Sequence, residues 1–140
     1  MAVQIDTHRE TRSLWRAIGN GLACKCPGCG KGKLFSSYLK VSATCSNCGL
    51  ALGSARADDF PPYIAIFIIG HVLVGWMLHA EMSGPVDPML YVLTMIPAAI
   101  LLPLIMLPSI KGAVVGLQWS NYMYGFDPSR SAEEVARSDV

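Results

Sequence analysis

Residues Phe60–Ala80, FPPYIAIFIIGHVLVGWMLHA, run without a single Asp, Glu, Lys or Arg, and the fold class turns on them. A helix rising 1.5 Å per residue needs about 20 such residues to cross a hydrocarbon core of about 30 Å. Ile64, Ile66, Phe67, Ile68, Ile69, Val72, Leu73, Val74, Trp76, Met77 and Leu78 are apolar all round the helix rather than on one stripe. That is the pattern of a membrane span, not of an amphipathic surface helix. A second uncharged run follows at Pro88–Ile110 and contains Pro97, Pro103 and Pro108. Membrane helices tolerate proline where neighbours satisfy the freed carbonyls, so a bend is expected here. Two buried core helices of a soluble protein are the alternative, and the length of both runs argues against it.

The rest of the composition agrees. Of 140 residues, 52% are hydrophobic and 15% charged, with a mean hydropathy of +0.40. An ordinary soluble domain carries roughly a quarter charged residues, so a lipid-facing part is expected. Disorder of the whole chain is excluded, since it requires low hydrophobicity and high net charge. A net charge of +1 gives no argument for a nucleic-acid partner.

The charges also orient the two spans. Residues 1–59 hold eight of the eleven Lys and Arg, whereas the connection 81–87, EMSGPVD, carries two acids and no base. Arg56 precedes the first span and Lys111 follows the second. The positive-inside rule then places both termini in the cytoplasm and the short loop outside. The expected fold class is a membrane α-helical hairpin with a small N-terminal cytoplasmic zinc-ribbon head. Its parts are an N-terminal segment (1–23), the head (24–59), the first span (60–80), the outer loop (81–87), the second span (88–110), an interfacial extension (111–126), with continuation of the second helix as its alternative, and a tail (127–140). The N-terminal segment, charged at Asp6, Arg9, Glu10, Arg12 and Arg16, lacks the apolar core of a signal peptide. Within it Leu14, Trp15, Ile18 and Leu22 recur at near-helical spacing. This short amphipathic helix has two equal expectations, lying on the inner membrane surface or packing against the head.

All five cysteines lie in the head. Cys26-Pro-Gly-Cys29-Gly30 and Cys45-Ser-Asn-Cys48-Gly49 are two C-x-x-C-G knuckles fifteen residues apart, the spacing of a four-cysteine zinc site. Two residues between thiolates let one tight turn aim both sulfurs at a single ion, and a second turn completes a tetrahedron. A reducing cytoplasm favours metal over disulfide. A thioredoxin-like redox pair would need one C-x-x-C in a βαβ pattern, which is absent, and an iron–sulfur site is the other competitor. Four thiolates close the coordination shell, so one structural zinc ion is expected, without a position for substrate. A head of about 50 residues is too small to be held by burial alone. Leu34, Phe35, Tyr38, Leu39 and Val41 are its expected core, Lys25, Lys31 and Lys33 its counter-charges, and Cys24 a spare buried thiol.

His71, near the middle of the first span, is a candidate functional residue because ionisable groups at that depth are expensive; the plainer reading is a neutral imidazole hydrogen-bonded to the second helix or to a partner protein. His79, Met82 and Met89 surround the outer loop and have the donor chemistry for copper(I). Asp58 and Asp59, before Phe60-Pro61-Pro62, are expected to cap the first span, with acid–base work as the weaker alternative. No coherent catalytic set accompanies them, so the chain is not expected to be an enzyme.

Taken together, CPGCGKGKLFSSYLKV, CSNCGLALGSARADDFPPY, the histidine of IGHVLVG and LPSIKGAVVGLQWSNYMYGF resemble the bacterial domain of unknown function 983 family, from about Cys24 to Phe126. The resemblance implies a two-span inner-membrane protein with a zinc-ribbon head, and supplies no activity. Genes of that family often lie among those for cytochrome c oxidase subunits and assembly factors. What this implies is an accessory or assembly role, with haem–copper oxidase subunits or assembly factors as partners in the bilayer. A membrane metal-handling protein for copper or zinc is the alternative, using Cys24, His79, Met82 and Met89. A membrane-tethered nucleic-acid binder is disfavoured by the head's small excess charge.

Overall fold

A computed structural model describes residues 12–53, 55 and 60–127. In chain order they form α1 (Leu14–Leu22), a two-stranded antiparallel hairpin β1 (Phe35–Ser37) and β2 (Lys40–Val41), α2 (Phe60–Ser83), α3 (Pro88–Ser120) and a 3-10 turn (Tyr124–Phe126). Both α2 and α3 are long and apolar enough to cross a membrane. Most of their large apolar side chains are exposed, including Ile66, Phe67, Val74, Leu93 and Ile105. Asp58, Asp59 and the tail beyond Asp127 lie outside the described residues.

Helix α2 starts with Pro61 and Pro62 in its first turn, where the missing N–H groups would be unsatisfied anyway. Helix α3 starts with Asp87 as N-cap, whose carboxylate accepts from the Met89 N–H at 2.9 Å, and Pro88 follows it. It then runs unbroken through Pro97, Pro103 and Pro108. Each proline leaves the carbonyl four residues earlier without its helical donor. For Pro108 that carbonyl belongs to Leu104, and the Tyr38 hydroxyl donates to it at 2.6 Å.

Nor does α3 stop where its charge-free run ends. It continues past Lys111 to Ser120, and Gly112, Val114, Val115 and Gly116 of that continuation are buried. Thirty-three residues make a rod of about 50 Å, some 20 Å longer than a hydrocarbon core. The continuation is the backbone of the head, so the stretch after Lys111 extends the second long helix. Against it packs α1, as in the second of its two expected placements. The contact is backbone to backbone: a β-carbon on Gly21 would strike the Gly112 carbonyl, one on Gly112 the Gly21 carbonyl, and one on Gly116 the Ala17 carbonyl. Ala17 faces Gly116 and Gly21 faces Gly112, so the two helices run antiparallel. The pairs Ala17/Gly21 and Gly112/Gly116 are small residues four apart, the arrangement that lets helices touch.

The head core is thus shared between distant parts of the chain. Leu34, Leu52, Cys26 and Cys45 pack with Val114, Val115 and Phe126, flanked by Phe35, Val41, Leu50 and Trp119. Leu34, Phe35 and Val41 serve as expected. Tyr38 does not: it is 57% exposed, because the hairpin turn 38–39 projects it toward α3. Lower down, Ala65 and Ile69 of α2 meet Ile110 of α3, with Ile64, Leu73, Leu102, Met106 and Leu107 around them.

Helices α1 and α3 end alike. After the cap residue Ala23, Cys24 takes a left-handed φ of 58°, its N–H bonds to Gly21 and that of Lys25 to Asn20. After Asn121, Tyr122 takes a φ of 54°, bonding to Trp119 while Met123 bonds to Gln118. Both are Schellman endings with a residue other than glycine in the left-handed position. This gives Cys24 a place in the backbone that makes no use of its thiol. Cys24→Gly is expected to be neutral or to stabilise by up to about 1 kcal/mol; a loss of more than that in a chemical melt would mean the sulfur matters. Arg12 seals the second ending. Its guanidinium donates to the Trp119 carbonyl at 2.7 Å and lies 4.4 Å and 3.9 Å from the Trp119 and Tyr122 ring centroids. A cation here also meets the negative end of the helix dipole. A lysine keeps the charge but loses the planar stack, so Arg12→Lys should cost about 1–2 kcal/mol, and an unchanged unfolding midpoint would contradict this.

Candidate metal centre

Each cysteine pair stands at the tip of a small hairpin. Lys25 bridges to Lys33 around the first knuckle and Thr44 to Ala51 around the second. Inside each, the same turn is built: Gly30 N–H bonds to the Cys26 carbonyl at 2.8 Å, and Gly49 N–H to the Cys45 carbonyl at 2.9 Å. Gly30 and Gly49 have φ of 68° and 72°, a conformation that glycine adopts without steric cost. At Gly30 a β-carbon would also crowd the Asn20 amide of α1.

The two tips face each other and bring Cys26, Cys29, Cys45 and Cys48 into one cluster, with every sulfur within 4.8 Å of the others. Cys26 and Cys48 sulfurs are 3.7 Å apart, as are those of Cys29 and Cys45. Disulfides would need about 2.05 Å. A tetrahedron with sulfurs about 2.3 Å from its centre has edges of about 3.8 Å. The cluster therefore fits a single tetrahedral metal ion, and a four-sulfur set of this kind suits zinc or iron. Close packing extends behind the sulfurs: a β-carbon at Gly32 would strike the Cys45 sulfur. Spacing does not single out Gly32, since it lies outside both knuckles and only the fold brings it to the cluster.

Backbone N–H groups point at the sulfurs. The Gly32 and Lys31 N–H groups hold Cys29 down at about 6, and those of Cys48 and Asn47 help to lower Cys45. Burial pushes the Cys26 thiol up to about 12, against donors from Cys29 and Gly28. Cys48 is raised too, by desolvation around its sulfur, although the residue as a whole is exposed. Such N–H···S contacts tune a metal site and orient its ligands.

These shifts fix the sign of a pH effect. At pH 7, Cys29 is mostly thiolate while Cys26 and Cys48 carry protons, so metal entry displaces at least two protons. Affinity should rise by about two decades per pH unit near neutrality and fall away in acid. Competition against a chromophoric chelator at several pH values measures that slope, and a flat profile would refute it.

The other candidates are not drawn into this centre. On α2, the His71 Nδ1 donates to the Phe67 carbonyl at 2.8 Å, with the two rings 4.3 Å apart. No bond to the second helix forms: Nδ1 is taken up within α2, and Nε2 has no partner among the described residues. His79 and Met82 are exposed near the end of α2, and Met89 is exposed at the start of α3. Beside them Tyr91 donates to Glu81 at 2.8 Å. Among the described residues, His, Cys, Asp and Glu side chains converge as a metal-sized group only at the four cysteines.

A family model, Protein of unknown function (DUF983), matches residues 35–119, more than half of the chain. The chain belongs to the DUF983 family. The DUF983 match takes in Cys45, Cys48, both long helices and the glycines that seat α1, and it begins after Cys26 and Cys29. No curated protein and no solved structure matches.

Proposed function

We propose that this DUF983 protein is a non-enzymatic accessory or assembly protein of a membrane complex, with one structural zinc ion in a cytoplasmic head. Helices α2 and α3 span the bacterial inner membrane as a hairpin, with both termini in the cytoplasm; the loop charges support that orientation. Zinc is the ion of choice because four thiolates close its shell and a small head needs a cross-link.

The observation that carries the reading is the outward face of α2. Gly70 and Gly75 have nothing within 4 Å of a would-be β-carbon. They border an open groove of about 490 Å³ with Ile66, Phe67, Val74 and Leu78, and His71 lies in it. Lipid tails fill such a groove but offer no donor or acceptor to the Nε2 of His71, so a neighbouring protein helix is the fitting occupant. The gene neighbourhood implied by the family resemblance supports haem–copper oxidase subunits or their assembly factors as that partner. The metal-handling alternative needs donors beyond the four cysteines, and His79, Met82 and Met89 are its candidates. No nucleic-acid partner is proposed.

Gentle-detergent purification of the native complex, with partners identified by mass spectrometry and metals counted, tests both readings. Oxidase subunits or assembly factors in near-stoichiometric amount, with one zinc per chain, support the first. A protein that emerges alone overturns it, and copper in excess of the zinc transfers support to metal handling.

A further inference from the structure

The turn of the β1–β2 hairpin supplies no side chain to the cysteine cluster. Ser37, Tyr38 and Lys40 are exposed, and Leu39 turns the chain with a φ of 59°. The position of this turn along α3 is pinned by one bond, from the Tyr38 hydroxyl to the Leu104 carbonyl. Leu104 lies sixteen residues beyond Pro88, or about 24 Å along the helix, and about 10 Å short of Lys111. A hydrocarbon core of about 30 Å that begins near Pro88 ends near Pro108. The tyrosine hydroxyl is therefore roughly 6 Å inside that boundary. The bond itself makes sense there: water is absent, Pro108 has removed the helical donor, and an unsatisfied carbonyl in hydrocarbon is costly.

We infer that the hairpin turn Ser37–Lys40 is inserted into the bilayer leaflet on the head's side and that its partner is the lipid surface itself, with anionic headgroups preferred. Tyr38 places its apolar ring at the edge of the acyl chains and its hydroxyl on Leu104, as an amphipathic ring does at a membrane interface. Lys40, two residues on, extends its ammonium outward to a lipid phosphate. The 57% exposure of Tyr38 is then exposure to lipid. The head is clamped to the membrane at two heights, by α3 within it and by this turn beside it. This inference rests on α2 and α3 being membrane spans.

Fluorescence quenching by lipids brominated near the top of their acyl chains tests it in the full-length protein reconstituted into vesicles. Three forms each keep one tryptophan, with the other native tryptophans changed to Phe: Trp76 in α2, Trp15 in α1, and a new one made by Tyr38→Trp. Because α1 runs antiparallel to α3, Trp15, which is 82% exposed, lies beyond Ala17 on the side away from the membrane. The position-38 form should be quenched at least about threefold more than the Trp15 form. Half phosphatidylglycerol in place of pure phosphatidylcholine should deepen that quenching, and Lys40→Gln should remove the gain. Ser37→Trp, which leaves Tyr38 and its bond in place, repeats the reading should the first substitution displace the turn. Quenching of Trp76 without quenching at positions 37 and 38 overturns the insertion alone. Loss of quenching at Trp76 overturns the spans beneath it. Quenching that is indifferent to phosphatidylglycerol overturns the anionic preference.

Discussion

Cys45→Ser is expected to unfold the head while leaving α2 and α3 helical. Apparent binding free energies for structural zinc in small domains run to about 10 kcal/mol or more, and there they act as folding free energy. Here the candidate ligands are themselves core residues: Cys26 and Cys45 pack with Leu34 and Leu52, and Gly32 lies directly against the Cys45 sulfur. Serine removes a soft ligand and leaves a buried hydroxyl facing the other three cysteines. Hydrogen exchange should therefore accelerate by orders of magnitude across residues 25–52, accompanied by loss of stoichiometric metal. The upper part of α3 should loosen in part, since Val114 and Val115 lose their partners. Protection in α2 should change little beyond its first turn, because Ala65, Ile69 and Ile110 form a second cluster that touches the head core at Ile64. A strong chelator should reproduce the pattern in the wild type. Unchanged exchange in Cys45→Ser would mean that the head folds without its four sulfurs.

Gly112→Leu is the second large effect, expected to detach α1 from α3. No rotamer relieves the clash, because the obstacle is the Gly21 carbonyl rather than a flexible side chain. Overpacking of ordinary cores costs about 1–3 kcal/mol, and collision with a backbone should exceed that. With α1 displaced, the Arg12 cap on Trp119 and Tyr122 goes as well. Limited proteolysis should then cut within residues 14–25, and the unfolding midpoint should drop sharply. Gly70→Leu is the matched control: nothing lies near Gly70 in the folded chain, so stability should be unchanged. Any loss of partner co-purification in that variant then belongs to the outward face of α2. A Gly112→Leu protein as resistant to protease as the wild type would refute the close helix crossing.

These two variants separate what is local in this chain from what is not. The knuckles are local: C-x-x-C-G sets a tight turn, a left-handed glycine and two converging sulfurs within one short stretch, whatever surrounds them. The two long helices are equally legible, because an uncharged run of about 20 residues has few soluble solutions. The groove face of α2 is visible in the sequence only as scattered letters, Gly70, His71 and Gly75, until the helix places them side by side.

The packing of α3 beyond Ile110 has no local signature. Gly112–Phe126 carries the aromatic residues of a membrane interface, and composition alone suits that role. The burial of Val114, Val115 and Phe126 depends on Leu34 and Leu52, far earlier in the chain. Gly112 and Gly116 advertise close approach without naming the neighbour, and that neighbour is α1 of the same chain. Tyr38 looks like a head-core residue for a related reason. Its true partner is a carbonyl whose need for a donor arises from Pro108, in the other half of the chain. The features legible in the sequence are ones whose energy is settled within one helix or one turn: two apolar helices of spanning length and two knuckles. Which surfaces meet is a property of the packed molecule alone. A backbone-to-backbone crossing and a proline-orphaned carbonyl acquire their partners only when distant segments come together.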